Sequence, residues 1–134
     1  MAGEVRGYHD LRVWQLSMDF AEAIYRMTWT FPDREKFSMA NQLQRAAMSV
    51  PSNIAEGHGR ESAQDFARFL AIARGSLSEL ETQLKLSSRV GLLGEEQLTA
   101  TLGLANDVGA LLAGLQRSLR NSQPGTGRDR SERR

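Results

Sequence analysis

The residues best suited to chemistry lie in one stretch, RAAMSVPSNIAEGHGRES, from Arg45 to Ser62. It gathers a histidine (His58), two carboxylates (Glu56, Glu61), three hydroxyls (Ser49, Ser52, Ser62), an amide (Asn53) and two arginines (Arg45, Arg60) around Pro51. A Ser–His–acid relay needs an imidazole bonded to the hydroxyl and oriented by the acid. His58 stands between two glycines, and nothing in the spacing orients it. A metal site inside a helical bundle calls for Glu-x-x-His on a helix, and neither His9 nor His58 has that neighbourhood. A phosphate cradle of the Walker or dinucleotide kind needs more glycine loop than GHGR supplies. What remains is a small anion pocket between His58, Arg60 and the start of the next helix, against the plainer reading of an exposed turn. No catalytic, metal or cofactor-binding residue is assigned, and neither an enzyme nor a cofactor is expected.

A structural device accounts for the same residues. Proline inside a helix removes one backbone hydrogen bond and crowds the carbonyl four residues back, here that of Ala47, at a cost of roughly 3 kcal/mol. A helix kink at Pro51 is expected, with Ala46 and Ala47 leaving room and the hydroxyls of Ser49 and Ser52 meeting freed carbonyls. Gln42, Arg45, Ser49, Asn53 and Glu56 recur at steps of three and four, which is one polar stripe along a helix. The following helix offers Arg74, Ser78, Glu79, Glu81 and Thr82. Pairs between Arg45 and Glu79 or Glu81, and between Arg74 and Glu56, would form an interhelical or intersubunit polar network. Such pairs fix register more than they add stability. The alternative is an ordinary solvated face, although Ala46, Val50, Ile54 and Ala55 give this helix only a thin apolar stripe.

Four helices must position this stretch. The first is expected over about 10–30, with Asp10 as its N-cap or first-turn acid. It carries two apolar stripes: Leu11, Trp14, Met18, Ala21, Tyr25, Thr28, and beside it Val13, Leu16, Phe20, Ile24, Met27, Phe31. Together they are wider than one packing seam needs. Pro32 ends that helix. The second begins near Asp33–Glu35 and runs toward Glu56, broken by Gly57 and Gly59 in left-handed geometry. The third opens on a capping box, Ser62 with Asp65. Its core stripe is Phe66, Phe69, Leu70, Ala73, Leu77, Leu80 and Leu84, and Gly91 with Leu92 caps its end. The fourth spans about 95–120, with Leu98, Leu102, Ala105, Val108, Leu112, Leu115 and Leu119 inward and charges placed to suit the helix dipole. Its glycines, Gly103, Gly109 and Gly114, imply either a close second backbone or a loosely specified helix. With no alternating strand pattern, the expected fold is all-α: an antiparallel up-and-down four-helix bundle over 8–121.

Composition bounds the function. The 134 residues make one ordinary domain. There is no cysteine, so disulfides and thiolate chemistry are excluded. No apolar run reaches the roughly 18 residues of a membrane span, and MAGEVRGYHD has no signal core, so a cytoplasmic protein without a membrane partner is expected. Met1–Gln123 carries 13 basic and 14 acidic residues, while the tail holds Arg128, Arg130, Arg133 and Arg134 against Asp129 and Glu132. A non-specific nucleic-acid binder needs a basic face, which must come here from local clustering or from the tail. Residues 122–134 read as a disordered basic tail, a solvated end or a binding arm.

Three segments, DLRVWQLSMDFAEAIY, FPDREKFSMANQLQRAAMSVPSNIAEGHGR and DFARFLAIARGSLSELETQL, resemble the four-helix bundle proteins encoded by intervening sequences within bacterial 23S ribosomal RNA genes. The resemblance covers roughly 8–120, and its most specific parts are SVPSNIAEG and GSLSELETQL. Met39-Ala40 departs from a common Gly-Leu, and Gln44 stands where a second arginine is common. The resemblance implies a bundle assembling into a homopentameric ring, with no known enzyme activity. Similar bundles are accessory proteins of diversity-generating retroelements, where they bind a reverse transcriptase and nucleic acid. For the ribosomal members, association with ribosomal RNA is inferred from gene position.

Two functions from different classes follow. One is an oligomeric module contacting structured RNA or a nucleic-acid-processing protein through arginines repeated by symmetry. Its expected contacts are Arg12, Arg34, Lys36, Arg60 and Arg68, among charges that include Arg26, Lys85, Arg89 and Arg117. The other is a protein–protein scaffold that touches no nucleic acid. A small ligand-binding bundle or enzyme is a third, weaker reading.

Overall fold

Residues 5–122 are described by the structure, a computed structural model. They form α1 (Arg12–Thr28), α2 (Met39–His58), α3 (Ala63–Arg89) and α4 (Glu95–Asn121). A 3-10 turn at Tyr8–Asp10 precedes α1, and another at Asp33–Glu35 lies between α1 and α2. There is no strand among the described residues. Each helix packs on the next in sequence and α4 closes on α1, while the diagonal pairs do not meet. With short connections this is an all-α, up-and-down four-helix bundle. Apart from Ser122, the basic tail lies outside the described residues.

The two stripes of α1 separate in the structure. Val13, Phe20, Ile24 and Met27 are buried in the core, with Phe31 beyond the helix end. The other stripe divides: Ala21 and Thr28 are buried, Trp14 and Tyr25 are half-buried and Met18 is exposed. Asp10 does not cap α1. The N-cap is Leu11 without a side-chain bond, and the Asp10 carboxylate accepts the Arg6 backbone N–H at 3.0 Å. That bond holds its carboxyl below the usual carboxylate range.

α2 starts later than the sequence suggests. Pro32 allows only a 3-10 turn over Asp33–Glu35, and Ser38, at φ −127° and ψ −110°, breaks the path before Met39. Its end is also different. His58 is the last helical residue, not a loop residue, and Gly57 is buried inside the helix. A Cβ on Gly57 would lie 2.7 Å from the Phe69 Cβ and 2.9 Å from the Phe66 ring. Gly59 is right-handed at φ −79°. Close approach of α3, not left-handed geometry, therefore explains the first glycine.

α3 begins and ends as its capping signals require. Ser62 Oγ accepts the Asp65 N–H at 3.0 Å. At the other end Gly91 has φ +86°, its N–H donates to Ser88 O at 3.1 Å, and Leu92 N–H donates to Ser87 O at 2.8 Å. This is the Schellman arrangement. Leu70, Ala73, Leu77, Leu80 and Leu84 are buried, whereas Phe66 and Phe69 lie half-buried at the seam with α2.

In α4, Ala105, Val108 and Leu112 reach the core, and Leu98, Leu102, Leu115 and Leu119 pack on its margin. By length and composition α4 is apolar enough to cross a bilayer, a property hidden from a count of uninterrupted apolar residues. Only 22% of that apolar window is buried in the bundle. Much of its outward face is small, with Ala100, Gly103 and Ala110 exposed.

Candidate interaction surfaces

The polar stripe of α2 divides by side-chain length. Of its short members, Ser49 meets α3, its Oγ 2.8 Å from Ser76 Oγ, and Asn53 stays within α2, its Nδ2 donating to Ser49 O at 2.8 Å and Ser49 Oγ at 3.0 Å. The long members Gln42, Arg45 and Glu56 are exposed. Glu56 accepts from Arg60 at 2.9 Å on its own turn, so the expected bond to Arg74 does not form. Arg74 instead donates to Gln116 Oε1 at 2.8 Å. Residues 74 and 76 differ by about 200° around a helix, so Arg74 faces α4 when Ser76 faces α2. Glu79 is exposed, and Glu81 borders the α3–α4 groove. Arg45 borders a shallow outer groove with Met48 and Ser52, so the Arg45–Glu79 and Arg45–Glu81 pairs are absent too.

Among the described residues, every ion pair is local in sequence and none joins two helices. Register is carried by Ser49–Ser76, by Arg74–Gln116, and by Gln44 Nε2 donating to Thr28 Oγ1 at 2.8 Å between α2 and α1. Gln44 thus uses its amide where an arginine would bring charge. Gln116 and Ser76 were not among the residues that the sequence pointed to.

Pro51 is buried within α2. The Ser49 hydroxyl, expected at a freed carbonyl, crosses to α3 instead, and Ser52 faces the outer groove. On the other side Pro51 helps line an apolar groove of about 560 Å³ between α1 and α2, walled by Trp14, Met18, Tyr25 and Met48 and bordered by Asp19 and Glu22. This groove is where the second apolar stripe of α1 goes.

The candidate basic contacts do not converge. Arg34 and Lys36 lie at the α1–α2 turn, whereas Arg12, Arg60 and Arg68 lie at the opposite end of the antiparallel bundle. Arg60 and Arg68 do share a partner: their guanidinium carbons stand 4.8 and 4.9 Å from the centre of the Phe69 ring. Each also meets a carboxylate, Glu56 at 2.9 Å and Asp65 at 3.5 Å. His58 packs edge-on to Phe66 at 5.7 Å.

The glycines of α4 meet no second backbone within the chain. A Cβ on Gly103 would touch nothing within 4 Å, one on Gly109 would meet Leu77 Cδ2 at 3.3 Å, and one on Gly114 would meet only Arg117 Nη2 at 3.8 Å. Between α3 and α4 this leaves a groove of about 520 Å³ bordered by Arg74, Gly75 and Gly109.

Fold and surfaces define a class: a small helical bundle with an apolar groove between α1 and α2. The model of the 23S rRNA-intervening sequence protein family matches residues 9–114. The chain belongs to that family. A solved structure from Bacteroides thetaiotaomicron, described as a protein of unknown function from the S23 ribosomal protein family, is similar at 27% identity and a TM-score of 0.74. The match covers 78% of this chain and 95% of that one. No curated protein matches.

Proposed function

We propose that this chain is a non-enzymatic bundle that works as an oligomer, binding RNA or a protein that handles nucleic acid in the bacterial cytoplasm. The observation that carries the oligomer is the apolar α1–α2 groove, left open while Phe37 stands 86% and Trp29 66% exposed. Monomeric surfaces scatter single apolar residues, whereas a contiguous apolar groove marks an interaction site. The family resemblance supports a ring of five. Support for RNA comes from family membership, from the arginines around Phe69, which could stack on bases, and from the basic tail. Symmetry would repeat these charges around an axis. Filter binding of ribosomal RNA fragments at two salt concentrations tests this reading. Binding that weakens with salt supports it, because phosphate contacts release counterions. No affinity at low salt overturns the RNA half.

A protein scaffold without nucleic-acid contact is the second reading. Arg6, Arg26, Arg34, Arg60 and Arg68 each already meet a neighbouring carboxylate, which reduces the charge that the described body offers to phosphates. A partner retained on the tagged protein after nuclease treatment favours the scaffold. One lost with the RNA favours the first reading.

A further inference from the structure

We infer that Phe37 of one copy inserts into the α1–α2 groove of a neighbouring copy. The inference rests on the oligomeric reading above and names its contact. Phe37 is 86% exposed, the most exposed large hydrophobic side chain among the described residues. It is held out by an ordered turn: Lys36 N–H donates to Asp33 O at 3.0 Å and Ser38 N–H to Glu35 O at 3.1 Å. A pre-ordered knob loses little freedom on docking.

The groove suits a ring. Trp14 and Tyr25 give flat walls, and the exposed methionines Met18 and Met48 are unbranched side chains that can reshape around an aromatic. Charge agrees as well. Lys36 lies with its ammonium 5.6 Å from the Phe37 ring centre, and the groove rim carries Asp19, in no ion pair among the described residues, beside Glu22, which already pairs with Arg26 at 2.9 Å. A docked Phe37 would bring Lys36 to that acidic rim. The knob does not fill its own groove, whose lining lacks Phe37. Met48 lies nine residues into α2 from its first residue, about 14 Å along the axis, and Phe37 precedes that helix pointing to solvent. Knob and groove are different patches, so the contact is heterologous and propagates from copy to copy, closing into a ring or running on as a filament.

The test is mass against concentration, by light scattering and sedimentation, for the full chain and its variants. Wild type should exceed monomer mass at micromolar concentration. Phe37→Ala removes the knob and Met48→Arg blocks the groove. Each should raise the concentration for half-assembly at least tenfold, with unchanged circular dichroism because both positions are exposed. Mixed one to one, the two variants retain one good knob and one good groove, and should form a discrete heterodimer. Asp19→Lys should weaken assembly severalfold, and adding Lys36→Glu should restore it. If wild type assembles and both single variants keep its mass, the contact is wrong while the oligomeric reading stands. A wild type that stays monomeric throughout overturns both.

Discussion

Near the C-terminal end of α2, a Cβ added to Gly57 would sit 2.7 Å from the Phe69 Cβ, whereas in the α3–α4 groove a Cβ added to Gly75 would meet nothing within 4 Å. One residue type serves two opposite conditions. At the first, the missing side chain lets two backbones close, and the nearby Ser49–Ser76 contact fixes their register. At the second, the missing side chain leaves a groove that nothing among the described residues fills. The comparison teaches that glycine content alone does not mark tight packing. What marks it is the bulk opposite: two phenylalanines at Gly57, against Ala71, Ser78 and Ala110 along the α3–α4 groove.

The sharpest way to break this contrast is Gly57→Ala. Alanine gains about 1 kcal/mol of helix propensity, but a Cβ this close to Phe69 is accommodated only by moving α3, and overpacking of this kind costs about 1–3 kcal/mol. A net loss is expected, read as a lower melting temperature by circular dichroism, and Gly57→Val should lose more. A melting temperature that rises would show that the seam is loose. Gly103→Ala is the opposite control. With open space around it, it should gain about 1 kcal/mol, and a loss would mean that another molecule already occupies that face.

The hydroxyl pair sharpens the same seam on a smaller scale. Ser49→Ala leaves Ser76 without its partner and removes one acceptor of Asn53, for a loss of about 0.5–1.5 kcal/mol. A double-mutant cycle with Ser76→Ala isolates the coupling. Coupling near zero would mean that the two hydroxyls are satisfied separately by water.

Much of the bundle was legible because local rules decided it. Ser62 and Gly91 act where their backbone geometry demands, so the ends of α3 were readable from a few residues each. The four helices follow from the period of their apolar residues. Other features depended on rotation about helix axes, which spacing does not give. Arg74 and Ser76 are two residues apart and serve different neighbours. The two stripes of α1 are equally apolar in sequence, yet Val13, Phe20, Ile24 and Met27 fill the core while the other stripe divides, with Ala21 and Thr28 buried and Met18 exposed. Gly57 was read as a helix breaker because its cause, the approach of Phe66 and Phe69, lies in another helix. The interaction surfaces were the least legible, since exposure of Phe37 and Met48 depends on where the fold leaves space.

The smallest effect lies outside both seams and gauges them. Asp10 closes the turn before α1 by accepting the Arg6 backbone N–H at 3.0 Å, with the Arg6 guanidinium at 3.5 Å. The backbone hydrogen bond is the main cause holding its carboxyl below its ordinary value. A carboxylate with a depressed folded pKa contributes stability that is present above its unfolded value, near 3.9, and is lost as pH falls through the folded value. The group is solvated, so protonation should fray residues 5–11 and leave the melting of the bundle nearly unchanged. Amide exchange across an acid titration, compared with Asp10→Asn at neutral pH, reads this directly. Both should speed exchange at Asp10 and Leu11 while leaving α2 and α3 protected. If acid instead opens α2 and α3 together with the turn, the tight seam is less independent of its surroundings than Gly57 and Phe69 make it.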